Sequence, residues 1–193
     1  MKQMPLIVAL TGAYNLITAL LIESGADINI EARNAYDTPT ALVNAIQSGH
    51  KGLAQLIIER GACVNAKDKY GSTALAEASG SGYKRLATLL TERGVDIKAL
   101  DTHGRIALIE ASAYGHKDLV TLLIKRGVDV NAKDGTSTIA LIKASYNGHK
   151  RVAMLLIDRG ADVNAPTCIA KIRTSGVRYG RVVRGKLTGR INR

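Results

Sequence analysis

Apolar residues recur along this chain in two alternating patterns. Alanines four residues apart, Ala41/Ala45, Ala74/Ala78, Ala107/Ala111 and Ala140/Ala144, give short segments one face of which carries only methyl groups. The spacing is helical, and so small a face lets a neighbour approach closely. A glycine turn follows each segment, at Gly49-His50, Gly82-Tyr83, Gly115-His116 and Gly148-His149, with Ala13-Tyr14 as a degenerate first copy. Beyond it, Leu53/Leu56/Ile57, Leu86/Leu89/Leu90, Leu119/Leu122/Leu123 and Val152/Leu155/Leu156 fall at i, i+3, i+4, the stripe of a longer amphipathic helix. Ile17, Leu20 and Leu21 supply that stripe in the first copy. Gly61, Gly94, Gly127 and Gly160 end the longer helix, and a polar run such as Asn65 to Gly71 suits a projecting turn. The pattern predicts a unit of helix, turn, helix and projecting loop.

The units are in register. Gly-Ala-Asp-Val-Asn, or a near copy, starts at Gly25, Gly61, Gly94, Gly127 and Gly160, and the last four starts are 33 residues apart. A second block, Thr40-Ala41-Leu42, Thr73-Ala74-Leu75, Ile106-Ala107-Leu108 and Ile139-Ala140-Leu141, keeps the same period after Pro5-Leu6 opens the series. A fixed period of this length describes an array in which each unit buries its apolar face only by stacking on its neighbours. Between Gly25 and Gly61 the spacing is 36, which predicts a first loop three residues longer than the others, around Glu31 to Pro39.

The two blocks and the turn between them resemble the ankyrin repeat, whose motif runs Gly-x-Thr-Pro-Leu-His-x-Ala, then Gly-His, Leu-Leu and Gly-Ala-Asp-Val-Asn-Ala. The resemblance covers residues 4–165 in five copies, approximately 4–34, 35–67, 68–100, 101–133 and 134–165. It implies an all-α helical solenoid with projecting loops. This chain replaces the motif histidine with Val43, Ala76, Ile109 and Ile142, and its proline with alanine in every copy but the first. Those changes remove a polar link between neighbouring turns and offer additional burial instead.

Composition changes the picture in two places. The chain has no Phe and no Trp, so a core of Leu, Ile, Val and Ala is expected, as repetitive helix stacking tolerates. Charge is uneven: of the 27 basic residues eight follow residue 165, none of the 16 acidic ones does, and the net charge is +11. The array itself is therefore nearly neutral. Residues 166–193 read as a basic tail, disordered or an irregular cap over the last helix, with Ile169, Ile172, Val177, Val182 and Val183 as covering residues. Cys63 and Cys168 lack disulfide or metal spacing, which favours a reducing compartment and a cytoplasmic location. The apolar stretch after Met1 aligns with a repeat helix and lacks the cleavage site of a signal peptide.

Chemistry is sparse. His50, His116 and His149 recur with the period at a position that Tyr14 and Tyr83 fill elsewhere, so a structural hydrogen bond is the favoured role. Arg60, Arg93, Arg126 and Arg159 precede the helix-ending glycines, where they are expected to meet the helix dipole and pair with Glu59, Glu92 or Asp158. No nucleophile with a local base and no phosphate loop is present, and no cofactor, metal or small-molecule substrate is implied.

The resemblance implies partner contact at loop tips and on the open face of the first helices. Those positions are Tyr36, Asp37, Lys69, Tyr70, Ser81, His103, Arg105, Tyr114, Thr136, Tyr146 and Asn147, with Lys67, Ser72 and Thr138 beside them. Tyr70, Tyr114 and Tyr146 lead, because tyrosine buries area at low entropic cost and keeps a hydrogen bond. The three are expected to frame one partner side chain. The expected function is non-enzymatic binding of another protein by a monomer. The alternative is association of the basic tail with nucleic acid or an anionic membrane.

Overall fold

Short helices built on paired alanines alternate with longer helices built on leucine and isoleucine through a computed structural model of the chain. It describes residues 9, 15–29, 41–68, 70–102, 104–165, 182–183 and 186–187. Among them are nine helices: α1 (Asn15–Glu23), α2 (Ala41–Gln47), α3 (Lys51–Glu59), α4 (Ala74–Gly80), α5 (Lys84–Glu92), α6 (Ala107–Ala113), α7 (Lys117–Lys125), α8 (Ala140–Tyr146) and α9 (Lys150–Asp158). Four complete helix pairs thus follow α1, the second helix of the first unit. The first helix of that unit and the longer first loop lie outside the described residues, apart from the helical Ala9. Beyond the array, β1 (Val182–Val183) pairs antiparallel with β2 (Lys186–Leu187). The rest of the basic segment, including its expected role as a cap, lies outside the described residues.

The pairs stack into two layers. First helices follow one another, α2 on α4, α4 on α6 and α6 on α8, while α3, α5, α7 and α9 form the second layer behind them. The alanine columns explain the close fit: Ala41, Ala74, Ala107, Ala140 and their partners four residues on are all 2% exposed or less. With no atoms beyond Cβ, these residues leave room for Leu42, Leu75, Leu108 and Leu141 to fill the space between layers. The residues standing in for the motif histidine are buried too, with Val43, Ala76, Ile109 and Ile142 between 0 and 2% exposed. The lost polar link is therefore replaced by apolar packing, as the sequence suggests.

The second helices depart from the expected stripe. The residues they bury are Leu53/Ala54/Ile57/Ile58, Leu86/Ala87/Leu90, Leu119/Val120/Leu123 and Val152/Ala153/Leu156, whereas Leu56, Leu89, Leu122 and Leu155 are only partly buried. The i, i+3, i+4 pattern is rotated because each second helix packs both on its own first helix and on the second helices beside it. In α1 the rotation is larger: Thr18 and Ile22 are buried, whereas Ile17 and Leu20 are 51% and 62% exposed.

Turn chemistry sets the projecting loops. Asp68 Oδ1 accepts from the amides of Tyr70 (2.9 Å) and Ser72 (2.7 Å), and Asp134 Oδ1 from those of Thr136 and Thr138 (both 2.8 Å). Backbone bridges between Lys67 and Thr73, and between Lys133 and Ile139, close these loops into small hairpins. Thr73 then caps α4, its hydroxyl accepting from the Ala76 amide at 3.2 Å. Ile106 and Ile139 hold the same extended backbone without a cap and contribute burial at 4% and 2% exposure instead. One polar column runs through the core, where the Ser79 and Ser112 hydroxyls are buried without a hydrogen-bond partner. None of the described helices is long and apolar enough to cross a membrane.

Candidate partner-binding surface

The first helices end on a common edge. Ser81, Tyr114 and Asn147 cap α4, α6 and α8, and Tyr146 is the last residue of α8. Tyr114 is 62% and Tyr146 60% exposed. The Tyr114 ring lies over Gly80 in the preceding repeat and stacks on His116, centroids 6.3 Å apart at 23°. Asn147 replaces it one repeat on, its Nδ2 donating to the Ala113 carbonyl at 2.6 Å. The two columns thus differ as expected, with Tyr146 in the register of Ala113 and Tyr114 in that of Asn147.

The periodic histidines hold this edge. His116 Nε2 lies 2.9 Å from the Gly80 carbonyl, and His149 Nε2 2.8 Å from the Ala113 carbonyl, each reaching the first helix of the repeat before. A carbonyl only accepts, so both rings carry their proton on Nε2. The structural role read from the sequence is the one these rings perform. Tyr83 occupies the same position, with its hydroxyl over Gly49 and Lys51 Nζ 4.5 Å from its ring centroid.

Tyr70 does not join the other tyrosines. It is 57% exposed but stands in the loop before the N-terminus of α4, and its carbonyl accepts a hydrogen bond from the Thr102 hydroxyl. Tyr114 and Tyr146 lie at the C-terminal ends of first helices, and a seven-residue helix rises about 10 Å. A single cluster of three tyrosines is therefore replaced by a pair at one end of the face and Tyr70 at the other.

Other candidates have partners within the array. Arg105 pairs with Asp101 Oδ2 and, at 3.4 Å, with Glu77 Oε1, which ties it into the array. Burial pushes its guanidinium pKa down, but the Asp101 hydrogen bond and charge outweigh this and hold it above its ordinary value. Ser72 and Thr138 are buried at 3% and 6% exposure and cannot serve as loop-tip contacts. Thr136 is exposed, although its hydroxyl and amide both bond Asp134 Oδ1. Tyr36, Asp37, Lys69 and His103 lie outside the described residues. The arginine ladder also behaves differently from the expected pairing. Arg93 Nη1 donates to the Ile58 carbonyl of the preceding repeat at 2.8 Å, and the ion pairs among the described residues include none of Glu59, Glu92 or Asp158. A helix-end carbonyl is the better partner, because it is fixed while an exposed neighbouring carboxylate must be immobilised.

A charged column in the middle of the open face escapes a motif-based reading. Glu77, Glu110 and Lys143 share one register position, and all three are half-buried. Desolvation raises the Glu110 pKa, with Asp101 and Glu77 adding to the rise and Arg105 and Lys143 opposing it. The folded carboxyl therefore holds its proton more tightly than the unfolded one. Its contribution to stability is complete below the ordinary carboxylate pKa of about 4.3 and is lost as pH rises through the raised folded value. Glu110→Gln is expected to melt above the parent at pH 7, with the margin narrowing as pH falls toward about 4. Thermal melts across that range check it, and a margin independent of pH would remove the desolvated carboxylate as its cause.

Asparagine clamps join the loops behind the second helices. Asn29 Nδ2 donates to the Gly61 carbonyl (3.3 Å) and its Oδ1 accepts from the Cys63 amide (2.8 Å). Asn65 makes the same pair of bonds to Gly94 and Asp96, and Asn131 to Gly160 and Asp162. At the junction between the third and fourth repeats the register position is Lys98, which has no acceptor for the Asp129 amide. Asn in Gly-Ala-Asp-Val-Asn thus does a specific job, and the departure at Lys98 was visible in the sequence.

A family model described as ankyrin repeats, three copies, matches residues 6–101 and 89–167. The chain belongs to the ankyrin repeat family. It is 35% identical over 69 residues to "Ankyrin repeat and KH domain-containing protein 1" from Homo sapiens, a match covering 36% of this chain and 3% of that protein. Ankyrin repeats are in general protein–protein interaction modules and not catalysts.

Proposed function

We propose that this chain is a non-enzymatic binding module that holds another protein against the open face of its first helices, with Tyr114 and Tyr146 as the anchors. The observation that carries the reading is the exposure of both rings on one edge, 62% and 60%, beside a backbone that His116 and His149 pin in place. A large ring on a fixed backbone loses little entropy when covered, which is how a few residues come to dominate an interface. Tyr70 and Thr136 extend the contact to the loop tips.

Replacing both Tyr114 and Tyr146 with alanine is expected to weaken partner binding by about 2 kcal/mol or more while leaving helicity and melting nearly unchanged. A partner recovered by affinity capture from cytosol, titrated against parent and double mutant, provides the measurement. Unfolding of the double mutant with unaltered affinity per folded molecule would assign the rings to packing. Deleting residues 166–193 separates the alternative: association through the basic tail with nucleic acid or an anionic membrane disappears with that segment and weakens steeply with salt.

A further inference from the structure

The junction that lacks its asparagine clamp is also where a cleft opens. Its volume is about 270 Å³, and its floor is formed by Ile97 and Leu100 from the third repeat and Ile106 and Val128 from the fourth. Lys98 and Lys133 stand exposed at its rim. Leu100 is 44% exposed, although its register mates in the neighbouring repeats are Lys67 and Lys133. Two substitutions therefore meet at one place. A lysine replaces the asparagine that would bridge the loops, and a leucine replaces the lysine that would keep the surface polar.

The charges around the opening are unbalanced. Lys67 Nζ bonds the Leu100 carbonyl at 2.8 Å, which brings a third cation to the same loop. The carboxylate of the lining Asp129 is turned into its own turn, with Oδ1 accepting from the Asn131 amide at 2.9 Å. An apolar floor under a cationic rim complements an apolar side chain flanked by carboxylates.

We infer that the cleft between the third and fourth repeats is a docking site for an acidic peptide segment of a partner protein, which inserts one apolar side chain over Leu100 and Val128 while its carboxylates meet Lys98 and Lys133. The site is separate from the tyrosine edge, because Ile106 stands at the N-terminal cap of α6 and Tyr114 at its C-terminal cap. It adds a second contact to the binding module and does not depend on the first.

The test uses the full chain and a fluorescein-labelled peptide in which a single leucine is flanked by aspartate and glutamate, with binding read by fluorescence anisotropy. Lys98→Asn is the decisive variant, since it restores the clamp, closes the cleft and removes a rim charge. It is expected to melt higher than the parent and to bind the peptide about tenfold or more weakly. Changing the peptide leucine to serine, or its acidic residues to their amides, is expected to weaken binding to the parent as well. The Tyr114→Ala/Tyr146→Ala double mutant is expected to bind this peptide as the parent does, so loss of the tyrosine site and loss of the cleft give different patterns. Equal affinity of parent and Lys98→Asn overturns the proposal, and it is also the result that capture by the basic tail would give. Absence of binding to the parent, or binding lost with the tyrosines, overturns it equally.

Discussion

Replacing Leu123 with alanine is expected to lower the unfolding free energy by about 2–5 kcal/mol and to loosen the repeats on both sides of it. Leu123 is fully buried in α7, which packs on α6 in its own repeat and on α5 and α9 in the adjoining second layer. Removal of its branched end leaves a cavity lined by more than one repeat, and a solenoid relays that loss because each interface is a nearest-neighbour term. Leu122, one residue earlier on the apolar stripe, is only partly buried, and its truncation is expected to cost less. Chemical denaturation of the two variants, with hydrogen exchange read in α5 and α9, distinguishes them. Equal small effects confined to α7 would contradict the stacked arrangement.

Gly104→Ala is expected to be of similar severity for a different reason. Gly104 has φ +70°, in the left-handed region, and a Cβ there would lie 2.3 Å from the amide nitrogen of Gly135 and 2.4 Å from its Cα. Those are backbone atoms of the next loop, and the Gly135 amide donates to the Gly104 carbonyl at 3.0 Å, so no side chain can swing aside to make room. Left-handed strain of about 1–2 kcal/mol adds to an overpacking cost of about 1–3 kcal/mol. Gly127→Ala is the internal control: its φ is +88°, but nothing lies within 4 Å of the added Cβ, so the strain alone is expected. Melting of the two variants side by side measures the difference. If they fall equally, the close stacking of loops between the fourth and fifth repeats contributes nothing.

Periodicity made much of this legible in advance. Thirty-three-residue spacing, paired alanines and a glycine after each helix are local signals repeated four or five times, and repetition removes the ambiguity a single copy would carry. The helix pairs, the burial of Val43, Ile109 and Ile142, and the structural role of His116 and His149 follow from register alone. The buried stripe of the second helices did not, because helical spacing identifies an apolar face only to within one neighbouring residue, and Val120 and Leu122 compete for the same interface.

An array of stacked helix pairs, and with it a surface suited to partners, is already written in the 33-residue period. Which residues of that surface are available depends on how the repeats pack. Arg105 is tied to Asp101 and Glu77, Ser72 and Thr138 are buried, and Tyr70 stands a helix length from Tyr114 and Tyr146. The packing also places Lys98, where the neighbouring repeats carry Asn65 and Asn131, in the lining of an open cleft. The physical reason is the same in each case. Register is a property of one chain segment and is written in it, whereas exposure, pairing and void space belong to the contact between segments a full repeat apart.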